Sequence, residues 1–182
     1  MAAGDGLVSM TPTSIAHSGT SASINADGGV DFSAVTSLSL NGCFTADFDN
    51  YVVSVRSVLT TGGQGLDMRY RVSGSDASGA NYTDQYIIAT DTSVTGGRDT
   101  SQTRLRIGAI SATLRTGHTV YIYGPALAQP TASRSVSVDD ISNARIYENA
   151  NTHSLSTAYD GFTIFPASSS MTGAIHVFGY EE

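Results

Sequence analysis

Leu66-Asp67-Met68-Arg69-Tyr70-Arg71-Val72 decides the fold, because apolar residues fall at every second position of a seven-residue run. In an extended chain successive side chains point to opposite faces. One face therefore carries Leu66, Met68, Tyr70 and Val72 into a core, and the other sends Asp67, Arg69 and Arg71 toward solvent. A half-buried antiparallel strand follows. The same reading fits Arg104-Leu105-Arg106-Ile107, Arg134-Ser135-Val136-Ser137-Val138 and the stretch from Ala174 to Tyr180. Tyr51 to Val58, Tyr86 to Ala89 and Val120 to Tyr123 are more continuously apolar or aromatic, as in strands covered on both sides.

Turn clusters separate these runs: Gly28-Gly29, Gly62-Gly63-Gln64-Gly65, Gly74 to Gly79 and Gly96-Gly97-Arg98-Asp99. Glycine reaches positive φ without steric cost, which tight strand connections use. Strands recurring between such turns predict an all-β antiparallel β-sandwich, jelly-roll-like. A single short helical turn is conceivable where Asp139 or Asp140 caps Ile141 to Ala144. Met1 to Thr20 is small, polar and poorly periodic. It reads as an N-terminal arm, residues 1–20, entering a sandwich domain of residues 21–182. Leu7, Val8, Met10 and Ile15 are its apolar points for docking on a partner.

Composition narrows the function. The chain holds 25 Ser, 21 Thr and 19 Gly among 182 residues, no Lys and no Trp. Forty per cent hydrophobic residues suffice for a core, which separates it from disordered Ser/Thr-rich stalks. A net charge of −7 disfavours nucleic acid, since phosphate binding needs a basic patch. Cys43 is the only cysteine, so no intrachain disulfide is expected. Met1 to Met10 lacks the charged and apolar regions of an export signal, and no apolar run approaches the ~20 residues of a membrane helix. No membrane insertion and synthesis in a host cytoplasm are the corresponding expectations.

Three stretches carry a family resemblance. Asn81-Tyr82 follows a strand and a Gly-rich loop. Thr100 to Gly108 reads as one strand of Ser-x-Thr-x-Ile-x-Ile-Gly type. Phe162 to Ser170 with Ile175 to Tyr180 reads as a closing hairpin. Together they resemble a β-sandwich family of tailed-bacteriophage virion proteins. The resemblance implies a virion structural component of tail, collar or capsid-decoration type, working with other virion structural proteins, and no catalytic residue. Two features depart from that pattern: Val72 to Asp76 separates the Arg-rich strand from its acidic loop, and the late strands lack Trp.

Chemical motifs are sparse, and no enzyme activity is expected. Asp47-Phe48-Asp49-Asn50 opens like a calcium loop but lacks its glycine and distal glutamate, so it reads as a polar turn into a strand. Asp139-Asp140, Asp76, Asp84 and Asp91 are candidates for the paired acids of glycoside hydrolysis, yet 13 Asp against 3 Glu is the balance of turns and caps. His17, His118, His153 and His176 form no HxH or HExxH pair. His176, alternating with Ile175 and Val177, reads as facing solvent or a neighbouring subunit. No cofactor is expected. Tyr121, Tyr123, Tyr147 and Tyr159 crowd the second half and offer amphipathic area for core, subunit interface or glycan contact. The reading is thus a particle-assembly protein, expected as a homotrimer, with host-surface glycan binding as the alternative.

Overall fold

The computed structural model describes residues 6–112, 114–138 and 144–180, and among these it is all-β. In chain order the strands are β1 Val8–Ser9, β2 Ser14–Ile24, β3 Val30–Asn41, β4 Asn50–Leu59, β5 Gln64–Val72, β6 Ser75–Asp76 and β7 Tyr82–Thr90. They continue as β8 Ser93–Gln102, β9 Leu105–Ile110, β10 Thr116–Tyr123, β11 Thr131–Val138, β12 Ile146–His153, β13 Gly161–Pro166 and β14 Met171–Tyr180. Every pairing is antiparallel, along the path β6-β5-β13-β3-β14-β4-β10-β11-β12-β7-β8, with β2 on β3, β1 on β14 and β9 on β5. The Asp139-Asp140 helical turn falls outside the described residues.

The long β2–β3 ribbon turns this sheet into two layers. The register slips between Ser18 and Gly19, opposite Val35. There Ala34 takes φ 47° and Gly19 φ 125°, and a Cβ at Gly19 would strike the Ala34 carbonyl. Only glycine permits that approach. Beyond the bend, Leu38 to Asn41 pair with β13 in a small layer with β5, β6 and β9, whereas Val30 to Val35 pair with β14 in the large layer.

Several expectations are corrected by this topology. The described part of the expected arm, residues 6–20, is not free: Ser14 begins β2, Val8 and Ser9 pair with β14, and Met10 and Ile15 pack against the core. Of its four apolar points, Leu7 and Val8 are the two that stay exposed. β13 and β14 make no hairpin. Both run antiparallel to β3, hence in the same direction, one bonded also to β5 and the other to β4. Thr100 to Gly108 is broken by a bend at Thr103-Arg104, which carries the chain from β8 in the large layer to β9 in the small one. Gly96-Gly97-Arg98-Asp99 is no turn but the middle of β8. A Cβ at Gly97 would strike the Tyr86 hydroxyl on the neighbouring strand, so the glycine makes room for a ring. Tyr86 to Ala89 lies next to an edge rather than at the centre, which leaves Ile87 exposed.

At one end the interior is apolar: Phe32, Leu38, Val53, Met68, Phe162 and Ile175 are each at most 3% exposed. At the other end it is polar. On β11 the serines Ser133, Ser135 and Ser137 face inward, and Val138 stands 52% exposed, the reverse of a valine-inward phase. Asn149, Asn151 and His153 of β12 and His118 of β10 join them, all buried. Asn149 Nδ2 donates to Ser135 Oγ at 3.1 Å across the ladder, whereas Ser137 Oγ, Asn149 Oδ1 and Asn151 Oδ1 are buried without a hydrogen-bond partner among the described residues.

Candidate functional site

The large layer extends past β9, the edge of the small one, and the overhang forms a groove. Asp67 of β5 and Arg106 of β9 stand opposite each other in the register and supply one wall. Tyr147 of β12 lies under it, and Arg104, Gly65, Gly108, Ala109 and Ala167 complete the lining of a 210 Å³ space.

Each side chain is held by a named partner. Asp67 is 2% exposed and its Oδ2 pairs with Arg104 Nε at 2.7 Å. Its other oxygen, Oδ1, is buried without a hydrogen-bond partner among the described residues. Burial raises the Asp67 pKa, opposed by the charges of Arg104, Arg106 and Arg69. Arg106 donates to Tyr147 Oη at 3.0 Å, lies 3.8 Å from the Asp99 carboxylate and sits 5.4 Å above the Tyr86 ring. Burial works against its charge, but the Tyr147 hydroxyl, Asp67 and Asp99 outweigh it and raise the pKa. Tyr86 and Tyr147 pack with centroids 5.9 Å apart. The result is a wall of fixed charges beside the nearly buried Tyr147 ring, with one covered carboxylate oxygen left without a donor.

The four tyrosines expected to act together are separated. Tyr147 is in the groove. Tyr159 is 2% exposed in the core, stacked on Tyr70 at 5.2 Å and bonded to His153 Nδ1 at 3.2 Å. Tyr121 and Tyr123 lie on the opposite, outer face of the large layer, 38% and 37% exposed. Sequence reasoning placed Asp67 on a solvent face and gave Arg106 no role. The signal was the pair of charged residues alternating with Leu105 and Ile107 on a strand opposite Asp67, legible only once β5 and β9 are known to be neighbours.

The other candidates find structural employment. Tyr82, of the Asn81-Tyr82 pair, is buried, accepts from the Tyr70 amide at 3.2 Å and donates to the Ala77 carbonyl at 2.8 Å. The Asp47 carboxylate accepts from Thr45 Oγ1 at 3.1 Å in the turn that enters β4. Asp76 accepts from Thr163 Oγ1 at 2.7 Å and pairs with Arg71. Asp84 is fully buried, and burial raises its pKa to about 6 against the Arg106 backbone amide and the Arg104 and Arg106 charges. His176 is half-buried, stacked on Phe178 at 6.1 Å and 3.9 Å from Asp27. Cys43 is buried and free, and burial pushes its thiol up. Among the described residues no group of three or more His, Cys, Asp or Glu is placed to hold a metal ion, and no helix is long and apolar enough to cross a membrane.

No family model matches the chain, and no curated protein does. Among solved structures it is similar to domain 4 of an extracellular arabinanase from Geobacillus stearothermophilus, in complex with arabinotriose, at 10% identity and TM-score 0.36, covering 92% of this chain and 82% of that one. It is also similar to the C-terminal CBM6 of a marine laminarinase from Zobellia galactanivorans, at 9% identity and TM-score 0.34, covering 95% and 99%. A galectin from Caenorhabditis elegans aligns at 8% identity and TM-score 0.36, covering 85% and 99%. Values this low leave what the chain binds to be argued from its own residues.

Proposed function

We propose that the protein is a glycan-binding β-sandwich module whose site is the groove between β9 and the overhanging β12 and β7. The observation that carries this is Asp67: a buried carboxylate with one oxygen fixed by Arg104 and the other unpaired, in the lining of a groove shared with Arg106 and Tyr147. That oxygen is covered in the free protein, and a ligand hydroxyl that displaces its cover would recover the ~1–3 kcal/mol that a buried acceptor without a donor costs. Sugars bring hydroxyl donors and acceptors on a ring with apolar C–H faces. Fixed carboxylate and guanidinium groups match the hydroxyls, and the bare surface of Gly65, Gly108 and Ala109 leaves room for the C–H faces. Pairing of Arg106 with Tyr147 and Asp99 holds the wall before a ligand arrives, which lowers the ordering cost of binding.

The test is a glycan array followed by titration calorimetry on wild type, Asp67→Asn and Arg106→Ala, with melting temperatures measured alongside. Selective binding to one glycan class, weakened at least tenfold by each substitution in protein that remains folded, is expected. Binding to no glycan, or binding that neither substitution changes, would overturn the proposal.

Particle assembly is the second reading, and the open edges of β2 and β8 favour it. Each bonds to one neighbour only among the described residues, so each presents unpaired backbone groups to another subunit. A virion role and a trimer both belong to this reading. Light scattering at high micromolar concentration tests it, and a folded monomer would count against it.

A further inference from the structure

The groove does not stop at Arg106. Gly65 and Ala109 line a second lobe as well, a 360 Å³ space that continues past Gly63 and Gln64 to Ser111 and Arg145. The two lobes meet over the cross-strand pair Gly65–Ala109. The first lobe alone, at 210 Å³, falls below the ~300–1,000 Å³ of ordinary small-molecule sites, and the adjoining lobe brings the whole into that range. From Asp67 to Gln64 the strand advances three residues, about 10 Å, which is longer than a single sugar ring.

No packing contact demands that the junction be bare. A Cβ at Gly65 would meet Asp67 Oδ1 at 3.9 Å and the Gly108 carbonyl at 4.0 Å, both ordinary contacts. At Gly63 it would meet the Ile110 carbonyl at 3.7 Å. Glycine within a strand marks a bulge or a close approach to the backbone; the register does shift at Leu66/Asp67, and the bare backbone at Gly65 is at the same time open to a ligand spanning the two lobes. We infer that the site takes a linear oligosaccharide, lying across Gly65 and Ala109 with sugar units in both lobes, rather than one terminal sugar. This rests on the glycan reading. The ligand would spread its hydroxyls from Asp67 and Arg106 at one end to Gln64 and Ser111 at the other.

Gly63 provides the test, since it lines the second lobe alone and a Cβ there would meet only the Ile110 carbonyl at 3.7 Å. An array carrying arabinan, β-glucan, mannan and polyuronate oligosaccharides of one to five units is probed with wild type, Gly63→Val and Gln64→Ala. For wild type, affinity should rise at least tenfold between one unit and three. Gly63→Val should abolish that rise and leave single-unit binding unchanged, with a melting temperature close to wild type. Gln64→Ala, which removes an amide from the second lobe alone, repeats the experiment should Gly63→Val fail to fold. Equal affinity at every length, or a rise that survives both substitutions in folded protein, would overturn the inference and leave the glycan reading standing. No binding by wild type to any glycan would overturn that reading and this inference with it.

Discussion

Arg69 and Arg71 stand two residues apart on β5, and their surroundings assign them opposite costs. Arg71 is 9% exposed. Its Nε donates to Asn41 Oδ1 at 3.0 Å and its Nη1 to Thr163 Oγ1 at 2.9 Å, and it also pairs with Asp76 and the Gly74 carbonyl. Arg69 is more open, 4.0 Å from Asp76, with its guanidinium 4.7 Å above the Phe165 ring. Arg71→Ser should therefore cost ~3 kcal/mol or more, since it strands a carboxylate and an amide oxygen together. Arg69→Ser should stay within about 1 kcal/mol. Met68→Asp, at a position 0% exposed, should leave no folded protein to measure. Circular dichroism shows the loss of fold in Met68→Asp, urea unfolding of the two arginine variants gives their order, and equal losses for the two would contradict it. Alternation in the sequence identifies Leu66, Met68, Tyr70 and Val72 as inward; the first three are buried and Val72 packs half-buried against the core. It missed the burial of Asp67 and Arg71 because a charge reads as solvent-facing only while its counter-charge is unknown. Arg104 arrives from a distant part of the chain, and Asp76 meets Arg71 only because the chain folds back as β6.

At the level of strands, β11 shows how a correct period can carry the wrong phase. Arg134 to Val138 alternates as a strand should, yet its serines are inside. The choice depends on β12 and β10 across the ladder, whose Asn149, Asn151 and His118 are buried too. This polar layer leads to a pH prediction. Asp84 has its pKa raised to about 6, so its contribution to stability is full below the ordinary value near 3.8 and is lost as pH rises through 6. His118 is lowered from 6.5 to about 4 by burial, against the Ile107 backbone, so its contribution is present above 6.5 and lost as pH falls toward 4. Each displacement corresponds to about 3 kcal/mol, and the two oppose. Asp67, raised, and His153, lowered, repeat the opposition. Wild type should thus show a weak net dependence from these groups between pH 4 and 6.5. Asp84→Asn should gain stability as pH rises, and His118→Gln should lose it. Urea midpoints at pH 4.5 and 7 for both variants decide this, and slopes of the same sign would refute it. β2 makes a second case. Deleting residues 1–6 should change little, whereas deleting 1–20 removes Ile15 and the partner of Leu38 to Asn41 on β3. The longer deletion should lower the melting temperature by 10 °C or more, because it uncovers an edge of both layers.

The whole molecule is closed by contacts between strands distant in sequence. β14 lies between β3 and β4 in the large layer, and β13 between β3 and β5 in the small one, so the last strands are central in both layers. An N-terminal truncation trims an edge. A C-terminal truncation at Pro166 opens the large layer in the middle, leaving Val30, Phe32, Val53 and Val55 without Ile175 and Val177 on the strand between them. Chain of that kind should not fold. Its circular dichroism should lack the β minimum and its backbone amides should exchange within seconds, while the 1–6 deletion retains the wild-type spectrum. The same closure sets the speed. Neither β3 nor β4 completes its pairing until β14 arrives more than a hundred residues later, so loop-closure entropy is spent before most of the core is buried. Refolding from urea should therefore fall in the slow range of all-β domains, milliseconds to seconds. Substitutions that shave the β14 core face, such as Ile175→Val, should slow folding if this docking is the rate-limiting event, and should speed unfolding alone if the strand docks after the barrier. Stopped-flow measurement of both limbs for Ile175→Val separates these outcomes. Unchanged folding with faster unfolding would place the closure of the sheet on the native side of the transition state.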